Sequence, residues 1–278
     1  MGTLVGTAVC IGNKRAVATA PTGIMTFADP AVQALCAKTW GDGTNITYEQ
    51  AREVTEIPKN WAKDNTTITS FNEIKYFKNC RTIGNYAFYR CSSMTLTSLE
   101  LPQCTSIGNY AFYGCSSMAL TSLELPLCTS IGNSAFNGCP LLGEIAFQNV
   151  TTVGTQAFRG STIAKIKLPS VETMAASSNY DGIFSYCTNL VLVDLGENCS
   201  SIGNESFGRC VGTSGNNITI ICRASIPPSL GGTIINKGLV YATIGEIYVP
   251  DESVEAYKTA TNWSAYANKI LPLSQYKG

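Results

Sequence analysis

Three consecutive stretches of this chain, Arg81–Cys104, Thr105–Cys128 and Thr129–Val150, are near copies of one another. Aligned, they read RTIGNYAFYRCSSMTLTSLELPQC, TSIGNYAFYGCSSMALTSLELPLC and TSIGNSAFNGCPLLGEIAFQNV. Self-similarity at a period of roughly 20–50 residues marks a solenoid or array, in which each unit buries its apolar face only against its neighbours. Such arrays usually serve as extended binding surfaces and seldom as enzymes.

The register continues beyond the near copies with looser spacing. Phe88, Phe112, Phe136, Phe158, Phe184 and Phe207 mark successive units, and three residues after each comes Cys91, Cys115, Cys139, Ser161, Cys187 or Cys210. Ahead of each Phe sits an apolar residue: Ile83, Ile107, Ile131, Val153, Met174 or Ile202. After the Cys position each unit reaches a short apolar–polar–apolar segment, such as Leu99-Glu100-Leu101, Leu123-Glu124-Leu125 or Ile166-Lys167-Leu168. That alternation predicts a half-buried strand. Pro102, Pro126 and Pro169 close three of these strands, where no further ladder hydrogen bond can be donated.

The pattern [Thr/Ser]-Ile-Gly-x-x-Ala-Phe-x-x-Cys followed by Leu-x-Leu-Pro, over roughly Arg81–Arg223, resembles the BspA-like leucine-rich repeats of bacterial surface proteins. Phe27–Val32, Ser70–Glu73, Tyr248–Lys258 and Asn262–Ser264 are similar to segments of such proteins from Bacteroides-type gut bacteria. Ser161 in place of Cys and an insertion at Ala175–Asp181 depart from the pattern. The fold expected is an α/β repeat, a leucine-rich-repeat solenoid with a helical N-terminal cap and an α/β C-terminal cap. The resemblance implies a non-catalytic adhesion protein, at the cell surface or secreted. Its implied partner is a host matrix protein, a bacterial surface protein or a glycan. A structural subunit of a cell-surface or phage-borne assembly is the alternative.

Four regions are expected: an N-terminal arm (1–25, with a strand at Leu4–Ile11), a helical cap (26–80), a solenoid of about six units (81–223) and a C-terminal cap (224–278). In the first cap, Asp29–Thr39 predicts a helix with Val32, Leu35 and Cys36 on one face. Thr47 with Gln50, and Ser70 with Glu73, each fit a capping box, the second opening a short helix to Phe77. In the last cap, Gly245–Pro250 predicts a strand, Asp251 and Ser253 cap a helix, and Trp263, Tyr266 and Ile270 form an apolar lid.

Composition narrows the chemistry. With 19 basic and 19 acidic residues the chain has no net charge, which argues against a nucleic-acid or anionic-membrane partner. No apolar run is long enough for membrane insertion, and a monomer is expected. Met1–Ala20 lacks a basic start followed by an apolar core, so no export signal is expected within it. The chain contains no histidine, which removes Ser-His-Asp and Cys-His catalysis and His-ligated metals. Its twelve cysteines fall mostly at two repeat positions. Stacked coils hold such residues about 4.8 Å apart with parallel side chains, a poor disulfide geometry, so a reduced packing ladder is expected. No cofactor, metal site or catalytic residue is expected. Asp42, Gly43 and Glu49 match part of a calcium loop, but Lys38 and Trp40 stand where its first ligands should be.

The candidate ligand-binding residues are the outward positions of the predicted strands: Ser98 and Glu100, Ser122 and Glu124, Glu144 and Ala146, Lys165 and Lys167, Leu192 and Asp194. The stripe begins acidic, turns basic and ends apolar-acidic. Glu100 and Glu124 sit about one coil apart, near the ~5 Å separation of a retaining glycosidase pair, but on an open sheet they are expected to be solvated. Tyr86, Tyr89, Tyr110 and Tyr113 on the return segments form a second, aromatic candidate patch.

Overall fold

Each coil contributes two strands where the sequence suggested one. The Thr-Ile or Ser-Ile pair ahead of the Gly-Asn turn, β-branched at its second position, forms a strand of two residues. Four such pairs and four equivalent pairs of other sequence stack in parallel and in chain order: Glu56–Ile57, Thr82–Ile83, Ser106–Ile107, Ser130–Ile131, Thr152–Val153, Thr173–Met174, Ser201–Ile202 and Ser229–Leu230. The apolar–polar–apolar segments build the other side. Glu144–Ala146, Lys165–Leu168, Leu192–Leu195, Ile218–Cys222, Ile244–Val249 and Ile270–Pro272 form a six-stranded parallel sheet, and Ser98–Glu100 with Ser122–Glu124 a separate two-stranded one. The result is a parallel-sheet solenoid of about eight turns, seen in a computed structural model that describes residues 21–141, 143–175, 182–210, 217–231 and 244–278. The expected strand at Leu4–Ile11 and most of the Ala175–Asp181 insertion lie outside the described residues. The ladder begins at Glu56, within the stretch expected as cap, and runs on past Arg223.

The repeat motif is a set of instructions for stacking. The six Phe rings form a spine through the core: Phe88–Phe112, Phe112–Phe136, Phe136–Phe158, Phe158–Phe184 and Phe184–Phe207 stack at 5.0, 5.3, 5.8, 5.6 and 5.7 Å. Gly108, Gly132 and Gly154, each following one of these short strands, let their coils sit close against the one before. A Cβ on Gly108, Gly132 or Gly154 would lie 2.6, 2.6 or 2.5 Å from the backbone nitrogen of Asn85, Asn109 or Asn133. The Asn that follows links coils: Asn85 Oδ1 accepts from Asn109 N at 2.8 Å, and Asn109 Oδ1 from Asn133 N at 2.8 Å. The Cys thiols do likewise from inside. Cys115, Cys139, Cys187 and Cys210 donate to the carbonyls of Phe88, Phe112, Phe158 and Phe184 in the coil before, at 2.8–3.1 Å. All eleven described cysteines are buried and free, and Ser161 keeps the ladder by meeting Cys187 Sγ at 3.4 Å.

The two-stranded and six-stranded sheets are separate because of a register slip. An isolated bridge joins Leu120 to Leu141. From there the inward strand residue is three positions on in one coil (Leu123) and four in the next (Ile145). Continued pairing would set inward Leu123 against outward Glu144, and a one-residue slip of that kind reverses the faces. The ladder stops instead, leaving Leu123 half-exposed where its counterpart Leu99 is buried.

The caps follow expectation in part. The helix Pro30–Trp40 and the Thr47–Gln50 capping box with helix Tyr48–Glu53 are present. The Ser70–Glu73 box is not: Asn72–Tyr76 is a 3-10 turn without a side-chain cap, because Glu73 Oε1 accepts from Ala28 N instead. Asp251 and Ser253 do not cap the helix Val254–Thr259; Asp251 Oδ1 accepts from Ser274 N, and Ser253 Oγ donates to Ser225 O. Trp263, Tyr266 and Ile270 are buried over the last coils.

Candidate functional site

The outward strand residues fall into rows set by the parallel register. Glu100 faces Glu124 across the two-stranded sheet. On the six-stranded sheet one row runs Glu144, Lys165, Leu192 and Thr219, and the next Ala146, Lys167, Asp194, Ile221, Tyr248 and Leu271. The register slip separates Ser98, Glu100, Ser122 and Glu124 from the remaining candidates. Between the two groups lies a cleft of about 250 Å³ bordered by Leu123, Glu124 and Ala146.

Part of the charge stripe expected from sequence is neutralised within the fold. Lys167 Nζ lies 2.6 Å from Glu144 Oε1, and that bond lowers the Glu144 carboxyl and raises the Lys167 ammonium. Both side chains are about half-exposed, where an ion pair contributes little. Asp194 is held by a fork from Arg223, with Nε and Nη2 each 2.9 Å from a carboxylate oxygen. The bond to Asp194 raises the Arg223 guanidinium. Leu192 and Asp194 are not open positions: Leu192 is 8% and Asp194 9% exposed. A second apolar cluster explains this. Leu192, Ile221 and Tyr248 pack on the outer face of the sheet under Leu271, Leu273 and Tyr276. The chain after Ile270–Pro272 therefore folds back over the strand face, and Tyr276 meets Tyr248 edge-on at 5.0 Å. Glu124, Glu144 and Lys165 remain exposed, and Ser98, Glu100, Ser122, Ala146 and Lys167 half-buried.

The four tyrosines come together as a two-by-two stack on the return turns. Tyr86 lies on Tyr110 at 4.9 Å and Tyr89 on Tyr113 at 5.1 Å. Lys63 sits over Tyr86 and Tyr89, and Arg90 over Tyr89. All four rings are half-buried, so duplication of the repeat has produced a ladder whose ring faces largely meet each other. A further cleft of about 500 Å³ lies in the N-terminal cap beside Trp40, Glu49 and Arg52, away from the strand face.

Thr219, Arg223, Glu246, Tyr248 and Tyr276 were not among the sequence candidates. The alternation Ile218-Thr219-Ile220 would have revealed the first, but the repeat pattern fades after Cys210. Tyr276 reaches the face only through the fold of the final segment. Among the described residues no helix is long and apolar enough to cross a membrane, and no cluster of three or more Cys, Asp or Glu is placed to hold a metal.

No curated protein sequence matches this chain. Among solved structures, it is similar to a leucine-rich repeat protein from Bacteroides ovatus (19% identity, TM-score 0.45), covering 70% of this chain and 59% of that one. A leucine rich cell surface protein from Faecalibacterium prausnitzii matches at 18% identity and TM-score 0.31, covering 81% of this chain and 84% of that one. A leucine-rich repeat protein from Eubacterium ventriosum matches at 17% and 0.32, covering 78% and 58%. The chain thus spans less than two thirds of the first and third of these proteins. The BspA type leucine rich repeat region matches in six copies over residues 55–181 and 117–224, more than half of the chain. With its Phe spine, Cys ladder and Gly-Asn turns in that register, the chain belongs to the BspA-type leucine-rich-repeat family.

Proposed function

We propose that this chain is a non-catalytic recognition protein of the bacterial surface or the surrounding medium, and that it binds a macromolecular partner through the outward face of its strands. Membership of a leucine-rich-repeat family supports an interaction or surface role. The observation that carries the proposal is the face itself: its parallel strands present Glu144, Lys165 and Lys167, side chains of both charges, and among the described residues no helix lies across them. Solenoids use such repeated surfaces for extended contact, and affinity accumulates over many coils. Glu100 and Glu124 read best as part of this surface, because they stand on an open two-stranded sheet.

The test is a binding screen of the immobilised chain against matrix proteins, bacterial surface proteins and mucins. Two variants accompany it, Glu100→Ala with Glu124→Ala, and Glu144→Ala with Lys167→Ala. Saturable binding that either variant abolishes at unchanged melting temperature supports recognition by the strand face. Binding that both variants retain places recognition elsewhere. Self-assembly without any heterologous partner indicates a structural subunit.

A further inference from the structure

We propose that the C-terminal part of the strand face is a carbohydrate site. Lys165, Asn217, Thr219 and Glu246 there hydrogen-bond the hydroxyls of a pyranose oligosaccharide, while Tyr276 stacks on its C–H face. This deepens the strand-face reading and rests on it.

The site is a groove of about 540 Å³, within the range of roughly 300–1,000 Å³ usual for small-ligand sites. Its floor is a cross-strand row. Lys165, Leu192 and Thr219 are register partners on three adjacent strands, and Glu246 follows on the fourth, beyond the shift between Ile218 and Ile220. At about 4.8 Å per strand the row spans about 14 Å, with an ammonium at one end and a carboxylate at the other. The hydroxyl of Thr219 and the amide of Asn217 lie between. A sugar hydroxyl both donates and accepts, so a row that mixes donors and acceptors suits it better than a ligand of one polarity. One wall is aromatic: Tyr276 is half-exposed, fixed by its edge-on contact with Tyr248, and leaves ring area open to the groove.

These polar groups are available. Among the described residues the side chains of Lys165, Asn217 and Thr219 make no hydrogen bond or ion pair, whereas Lys167 is held by Glu144 and Arg223 by Asp194. Glu246 has one oxygen engaged by the Tyr248 hydroxyl at 2.7 Å and the other free to accept.

A peptide fits the groove less well. An extended peptide binds by adding to a free sheet edge, and all four strands here are paired on both sides. A folded protein needs a pocket for an apolar anchor, and the apolar residues of this face, Leu192, Ile221 and Tyr248, are already sealed beneath Leu273 and Tyr276.

The experiment is a saturation-transfer NMR titration of the full chain with maltotriose, triacetylchitotriose and 3′-sialyllactose. Tyr276→Ala, Thr219→Val and Lys165→Ala are titrated beside it, each checked for an unchanged melting temperature. The expected result is saturable binding of at least one trisaccharide, weakened about tenfold or more by Tyr276→Ala and measurably by the other two. No binding of any of the three at millimolar concentration overturns the proposal, as does binding that the three variants leave unchanged. A protein partner lost in the groove variants, with no sugar bound, also overturns it and leaves strand-face recognition standing. The screen with the Glu100, Glu124, Glu144 and Lys167 variants fails or succeeds independently, since none of those residues lines the groove.

Discussion

Gly132 measures how closely two coils approach. A Cβ at that position would sit 2.6 Å from Asn109 N and 2.6 Å from Gly108 C, both backbone atoms that cannot swing aside. Gly138, six residues on, differs: its φ is +72° and a Cβ would meet only Gly114 Cα, at 3.9 Å. The first glycine is required by contact between coils, the second by its own backbone conformation. Gly132→Ala is therefore expected to cost about 1–3 kcal/mol through overpacking, and to loosen the bond from Asn133 N to Asn109 Oδ1. Gly138→Ala should cost only the left-handed penalty of about 1–2 kcal/mol. Urea unfolding of the two variants separates these causes. The distinction would collapse if Gly132→Ala were the milder change and the amide exchange of Asn133 stayed as slow as in the parent.

Among the elements, the helix Pro30–Trp40 depends on a side chain that sequence reading saw only as its opening residue. Asp29 is 3% exposed. Its Oδ1 accepts from Ala31 N and Val32 N as the helix cap, and its Oδ2 accepts from Thr69 N, Thr69 Oγ1 and Ser70 N. One carboxylate thus starts the helix and fastens it to the chain that enters the solenoid. Burial alone would raise its pKa, but the hydrogen bonds from Thr69, Ala31 and Ser70 outweigh burial and hold it below the ordinary 3.8. A carboxyl depressed in the folded state contributes stability that is present above its unfolded value and lost as pH falls through the folded one. Asp29→Asn replaces an acceptor oxygen by a donor nitrogen. It is expected to cost about 2–4 kcal/mol at pH 7 and clearly less at pH 3, read by urea unfolding at both. An equal cost at the two pH values would mean the carboxylate charge is not what joins the elements. The same scale shows what was legible in the sequence. Phe recurs at one place in each repeat because its ring stacks through the core, so six coils were countable in advance, while the coils of Ile57 and Leu230 carry no Phe at that place and were not counted. The eight-stranded sheet was hidden because a two-residue strand such as Ser106–Ile107 is too short to show alternation. The break after Ser122–Glu124 was hidden because it turns on one extra residue after Leu141, and the cover over Leu192 because it comes from Tyr276, distant in sequence.

At the scale of the whole molecule, a stack of coils in which each touches only its neighbours should open from its ends. Aromatic groups close both ends here: Trp40, Trp61, Phe71 and Phe77 pack together at one, and Tyr257 with Trp263 at the other. Trp263 is fully buried, with Nε1 donating to Pro228 O at 2.7 Å, and Tyr257 donates to Ala224 O at 2.7 Å. The cysteines make local opening visible, since most coils carry at least one buried thiol. Burial pushes the Cys80 and Cys128 thiols up to about 11 and those of Cys91, Cys104 and Cys187 to about 12. Thiolate is the reactive form, so labelling near neutral pH reports exposure by opening rather than reaction in place. Trp263→Ala should destabilise the last coils by about 3–5 kcal/mol. Labelling of Cys199 and Cys210, whose thiols are also raised, followed residue by residue by mass spectrometry, should accelerate about tenfold or more while Cys80, Cys91 and Cys104 keep their parent rates. A uniform acceleration along the chain would show instead that the Phe spine couples all coils into one cooperative unit. Damage at an end would then reach the strand face at once, and the solenoid would behave as a single domain despite its repeated construction.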